Sequence, residues 1–253
     1  MSAVLGTANW LFMAFAMATA VVRQALRPIT WRRPARQEFW RFMEIVCLRN
    51  LLAVCIAAAL IGLTLISQGL YWLDRFGQAD AIGQVIVFAM VREIGPIVVG
   101  LLALGGGGIV LLGELSAMRA HGQLESLDRQ GVDPFLMMVV PRVLAIVVAV
   151  FTHSILFIVV ALATGYTVAH ATGATAIPTG QFVVNMLAAI GSAGYLILPA
   201  KSLAIGLTIG AVCALTALDP RASGLGAATL TATGFIRAIS GVLLVSALIS
   251  LAI

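Results

Sequence analysis

Apolar residues run along this chain in long blocks separated by short polar stretches. Val4 to Val22, Leu51 to Leu70, Ile82 to about Leu112, Pro141 to about Ala169, about Tyr195 to Leu218 and Gly224 to Ile253 are the six blocks. Each is close to or above the ~20 residues that a helix rising ~1.5 Å per residue needs to cross ~30 Å of hydrocarbon. Lipid offers the backbone no hydrogen-bonding partner, so such blocks predict helices; barrel strands would show roughly ten-residue segments of alternating polarity instead. The last five blocks predict five spans. The first has its basic residues after it rather than before it, unlike a cleaved signal peptide, and is either a span or an elbow helix embedded in the membrane.

The connections are polar and short. Tyr71 and Trp72 suit an interfacial aromatic belt, and Asp74, Arg75 and Asp80 follow them. Phe182 to Ile190 predicts a short helix interrupted at Gly191 to Gly194, and Asp219-Pro220-Arg221 predicts a turn. The one long charged segment between apolar blocks is GELSAMRAHGQLESLDRQGVDP, Gly113 to Pro134. At 100° per residue, Gly113, Ala117, Ala120, Leu124, Leu127 and Gly131 share one face and Glu114, His121, Glu125 and Asp128 another, which predicts one amphipathic helix over 114–131. Such a helix between spans lies at the membrane surface, either as a docking element for a soluble partner or as an interfacial anchor.

Composition agrees with a membrane protein and excludes a soluble domain: 61% of the 253 residues are hydrophobic and 10% charged, against ~25% charged in soluble domains. The formal net charge of +5 comes from an arm holding Arg23, Arg27, Arg32, Arg33, Arg36, Arg41 and Arg49 against Glu38 and Glu44. Beside spans, that cluster marks the cytoplasmic side and points to anionic lipid headgroups rather than nucleic acid. Residues 1–50 thus form an N-terminal helix with a basic cytoplasmic arm, and 51–253 the membrane domain. Cys47, Cys55 and Cys213 form no CxxC, and His121, His153 and His170 are scattered, so neither disulfide nor metal site is expected.

Charges inside apolar blocks are the candidate chemistry. Arg92 and Glu93, before Gly95-Pro96, lie at membrane depth facing a cavity, or else at the external interface with the span beginning at Ile94. Arginine's planar fork suits a lipid phosphate. Lys201 is placed to snorkel outward, and Arg237 is the single charge of the last block. Gly105 to Gly108 lacks the Lys-Ser or Lys-Thr of a phosphate loop and reads as a close-packing stretch. With no HExxH, no GxSxG and no nucleotide motif, the chain is expected to be neither an enzyme nor a holder of its own cofactor. A secondary transporter using Arg92 and Glu93 is the rival reading, and five spans without an internal repeat fit it poorly.

REIGP at Arg92 to Pro96, the glycine run, the Gly113 to Pro134 segment, Pro141-Arg142, Lys201-Ser202 and GLGAATLTATG at Gly224 to Gly234 together resemble the permeases of MCE transport systems, the MlaE and YrbE type. The resemblance covers the chain from about residue 36 onward. It implies an all-α integral membrane protein with five transmembrane helices, an N-terminal interfacial elbow helix and a cytoplasmic coupling helix, here 114–131. It implies the permease subunit of an ABC transporter in the bacterial inner membrane, moving phospholipids or related lipids towards or from the periplasm. Its partners would be an MlaF-like ABC ATPase that supplies the ATP, an MlaD-like MCE-domain protein and a second permease copy in a homodimer. Arg92, Glu93 and Pro96 would meet lipid; Glu114, Leu115, Met118, Arg119, Gln123, Leu124, Glu125, Leu127 and Asp128 would meet the ATPase. Two places depart from the family pattern: the glycine run contains no arginine, and His121-Gly122-Gln123 stands where an acidic residue or glutamine pair is common.

Overall fold

The computed structural model describes residues 2–76, 88–173, 178–219 and 226–252, and all regular structure among them is helical. Asp80 and Pro220-Arg221 lie outside the described residues, as do the side chains of Tyr71, Trp72, Asp74 and Arg75. Five helices are long and apolar enough to cross a membrane: Arg33–Leu65, Met90–Ala120, Phe135–Ala171, Gly194–Leu218 and Ala228–Ala252. They are called here the first to fifth spans. Before them stands the N-terminal helix Ser2–Ala25, with an apolar stretch at Trp10–Ala25.

Helix boundaries differ from those predicted, for reasons that lie in the backbone. The first span starts at Arg33, with Pro34 in its opening turn where proline's missing N–H costs nothing, so the second half of the basic arm is helix continuous with the span. The third span starts at Phe135 because the Asp133 carboxylate accepts a hydrogen bond from the Phe135 N–H at 2.9 Å and Pro134 leads into the helix. The predicted interruption after Ile190 is a kink at Gly191, which adopts φ 64°, ψ 169°. A larger correction concerns the central segment, which is two helices rather than one. Gly122 takes a left-handed φ of 68°, ends the second span after Ala120, and opens a separate short helix, Gln123–Arg129. Gly131, at φ 74°, closes that helix as its N–H bonds the Asp128 carbonyl while Val132 N–H bonds the Leu127 carbonyl.

The third span is the centre of the bundle, packed on the first and fourth, and the fifth packs on the fourth and second. The fourth span is the most enclosed and the fifth the least, with 56% and 17% of their apolar windows buried. Small residues set the closest approaches. Gly107 abuts Val46 of the first span, and Gly108 abuts Ile209 and Cys213 of the fourth, so the glycine run lets three spans converge, as the packing reading required. Gly62 faces the backbone of Ala161, with a β-carbon there only 2.8 Å from the Ala161 Cα. Gly62→Ala is therefore expected to push the first span off the third and cost ~1–3 kcal/mol. Gly113→Ala, which meets nothing within 4 Å, should leave stability unchanged or raise it slightly; thermal unfolding in detergent compares the two.

Candidate functional site

Two charge clusters stand at opposite ends of the second span. Glu93 and Glu114 are 21 residues apart, or ~31 Å at helical rise, which matches the ~30 Å of a hydrocarbon core. The clusters therefore mark the two faces of the membrane, and Arg92-Glu93 belongs to the interface opposite the arginine arm.

The first cluster is built on a π-helical turn, Met90–Ile94, followed by Gly95-Pro96. Pro96 has no N–H to offer the Arg92 carbonyl four residues earlier. The Lys201 ammonium donates to that carbonyl at 2.9 Å instead, and also to Glu93 Oε2 and Ser250 Oγ, both at 2.7 Å. Ser250 Oγ donates to Glu93 Oε1 at 2.6 Å, and Arg92 Nη2 donates to the Ser250 carbonyl at 3.2 Å. Lys201, expected to snorkel outward, is fully buried instead, because three acceptors converge on it from the second and fifth spans. The Arg92–Glu93 pair is the loosest contact at 4.0 Å, so Glu93 belongs first to Lys201. Glu93 remains 40% exposed, and the Arg92 guanidinium lies over the Phe88 ring, so polar groups stay accessible at this end. Pro96 is buried and acts through the carbonyl it frees.

At the other end Arg142 Nε donates to Glu38 Oε1 at 2.6 Å, and its Nη1 lies 3.2 Å from Glu114 Oε2, near enough for charge but out of line for a hydrogen bond. Arg41 bridges the same two carboxylates at 2.7 and 2.8 Å. Met118 and Met138 sulfurs and the Phe42 ring enclose the Arg142 guanidinium. Two cations and two anions thus lock the arm helix, the second span and the third span together. Arg119 donates to the Ala217 and Asp219 carbonyls, satisfying the last turn of the fourth span.

The nine residues assigned to an ATPase contact divide accordingly. Leu115 is fully buried, and Glu114, Met118 and Arg119 turn inward on these networks. Gln123, Glu125 and Asp128 are exposed, and Leu124 and Leu127 half-buried, on the short helix Gln123–Arg129, which has no buried residue. Glu125 and Arg129 pair loosely at 3.8 Å. Sequence reasoning missed Glu38, Arg41, Arg142 and Ser250 as charge partners. Their signal was a charged or hydroxyl residue near a span end, which does not name a partner.

Residues 39–252 match the family described as Permease MlaE. The intermembrane phospholipid transport system permease protein MlaE of Haemophilus influenzae is 34% identical over 120 residues, 47% of this chain and 46% of that protein. A probable ABC transporter permease protein of Rickettsia prowazekii is 32% identical over 87 residues, 34% of each chain. The chloroplastic protein TRIGALACTOSYLDIACYLGLYCEROL 1 of Arabidopsis thaliana is 26% identical over 125 residues, 49% of this chain and 34% of that one. The matched stretches span less than half the length of these relatives. The family match extends over more than four fifths of the chain, and with five helices of membrane-crossing length it makes this a multi-pass membrane protein that belongs to the MlaE permease family.

Proposed function

We propose that the chain is the permease subunit of an ABC transporter that moves phospholipids or related lipids between the bacterial inner membrane and the periplasm or outer membrane. The observation that carries this reading is the pairing of a family match with one short helix without a buried residue, Gln123–Arg129, at the arginine end. An ATPase subunit would grip that helix and supply ATP from its own site. Closure of the ATPase would move Gln123–Arg129 and, through Gly122 and the Arg142–Glu114 contact, shift the second and third spans as rigid bodies. An MCE-domain protein would exchange lipid at the opposite face, and a second permease copy would complete a homodimer.

The Arg92, Glu93, Lys201 and Ser250 cluster would meet the headgroup. Arg92 offers the fork, and Lys201 and Ser250 hold Glu93 so that it does not neutralise Arg92 fully. Acyl chains need apolar walls. The fifth span presents Ile236, Leu243, Leu244, Leu248 and Leu251 exposed, and an open apolar groove of about 490 Å³ lies between Ile109 and the Ala228, Thr231, Ala232 and Phe235 face. Such a face suits a lipid or the second copy.

Purification of a tagged chain from its membrane, with mass spectrometry of proteins and lipids, tests the reading. An ATPase, an MCE-domain protein and phospholipid are expected together. Glu125→Lys with Asp128→Lys should release the ATPase and leave the phospholipid. A chain that emerges alone and free of lipid would sink the proposal and return the charges to a secondary transporter.

A further inference from the structure

The corner between the N-terminal helix and the first span displays arginines that the fold itself does not use. Arg23, Arg27, Arg32, Arg33 and Arg36 are all exposed, and none forms an ion pair among the described residues. Arg41 and Arg142 instead take up Glu38 and Glu114, and Glu44, the other carboxylate of the arm, pairs with none of the five among the described residues.

The corner is also built rather than loose. Thr30 is buried and its hydroxyl donates to the Gln24 carbonyl at 2.7 Å, while the Trp31 indole N–H donates to the Ala25 carbonyl at 2.9 Å. Trp31 stacks edge-on against Phe39 at 5.6 Å, and Phe39 against Trp40 at 5.4 Å. Pro28–Trp31 forms a 3₁₀ turn, so the chain reverses at a fixed angle. Trp40, Trp31 and Leu26 nevertheless stay 63%, 37% and 80% exposed beside the arginines. Unpaired guanidinium groups interleaved with exposed indoles, at the end of an apolar bundle, match one surface: phosphate headgroups above, acyl chains below.

We propose that the Arg23 to Trp40 corner is a binding surface for anionic phospholipid headgroups of the leaflet it faces. Its arginines bind lipid phosphate, its indoles lie at the acyl boundary, and Arg41 joins it to the Glu38–Arg142–Glu114 lock. Bound anionic lipid therefore steadies the lock as well as the corner. The site is distinct from the Arg92 cluster, which stands at the opposite face, and it holds whether or not the chain transports lipid.

The test places the isolated chain in nanodiscs of equal phosphatidylcholine and phosphatidylglycerol, then counts retained lipids by native mass spectrometry. Phosphatidylglycerol is expected to be enriched severalfold, with the enrichment lost in molar salt, since each arginine near an anionic surface is worth about fivefold. The combined variant Arg27→Gln, Arg32→Gln, Arg33→Gln, Arg36→Gln should retain the two lipids in their bulk ratio. Should that variant fail to fold, the four-fold lysine variant serves: it keeps the charge but not the fork, and an intermediate enrichment is expected. No enrichment in the unaltered chain, or enrichment untouched by the glutamines, overturns the proposal. So does capture of an acidic protein surface by the corner in place of lipid.

Discussion

Replacing Glu93 with glutamine is expected to destabilise the protein by ~3–5 kcal/mol, because it leaves a buried cation without its counter-charge. Lys201 has no exposure at all, and of its three acceptors only Glu93 is charged. At roughly 2–4 °C per kcal/mol for a chain of this size, thermal unfolding in detergent should fall by about 10 °C. Lys201→Met alone should cost less, because Glu93 is 40% exposed and can turn to water. The decisive measurement is the double variant. Glu93→Gln with Lys201→Met removes both charges and should recover most of the loss, giving a coupling well above the few tenths of a kcal/mol seen between independent sites. Additive losses would show that Lys201 is held by the Arg92 carbonyl and Ser250 rather than by charge. The double variant also separates roles: restored folding with phospholipid retention still abolished would assign the cluster to the headgroup, whereas normal retention would leave it a purely structural tie.

The second large effect is expected at Arg142. Its side chain is 4% exposed and reaches Glu38 and Glu114 from two different nitrogens. Methionine in its place fits the Met118, Met138 and Phe42 surroundings but leaves Arg41 alone between two carboxylates. A loss of ~2–4 kcal/mol follows, because two part-buried carboxylates then share the single Arg41 cation. Lysine keeps the charge yet offers one nitrogen, so it can hold Glu38 or Glu114 but not both, and a smaller loss of ~1–2 kcal/mol is expected. Hydrogen exchange locates the effect. Amides of Arg33–Met43 should exchange faster in both variants, while those around Lys201 at the other end stay protected. Uniform loss of protection would mean that the lock stabilises the whole bundle rather than tying the arm to the second and third spans.

Much of this was legible in the sequence. The five spans, the interruption after Ile190 and the close packing of the glycine run, at Gly106 to Gly108, all follow from local chemistry, and each appears in the fold. The residues that carry the family resemblance were legible too, because a motif is a local string. Two expectations failed for identifiable reasons. The amphipathic pattern of Gly113 to Pro134 was read as one helix, since periodicity continues through His121-Gly122 while the left-handed glycine redirects the axis. Within the second span, Leu115 lies in the core, whereas Gly113 and Ala117, placed on the apolar face, are exposed. Lys201 was assigned to the surface because snorkelling is what an isolated lysine does near a span end. The acceptors that hold it inward come from residues 108 and 49 positions away in sequence.

The sequence by itself determined that the chain is helical, that five of its apolar blocks can cross a membrane, which end carries the basic arm and which family the chain belongs to. These depend on composition and on neighbours within one or two turns. Which side of each span faces inward, and therefore which charge meets which, was decided only by the tertiary structure. In a soluble helix the polar face announces the outside. In a membrane, lipid and protein interior are equally apolar, so the hydropathy pattern finds a span without orienting it. The pairing of Lys201 with Glu93 and of Arg142 with Glu38 and Glu114 follows from that orientation, set by the close packing of the third span against the first and fourth.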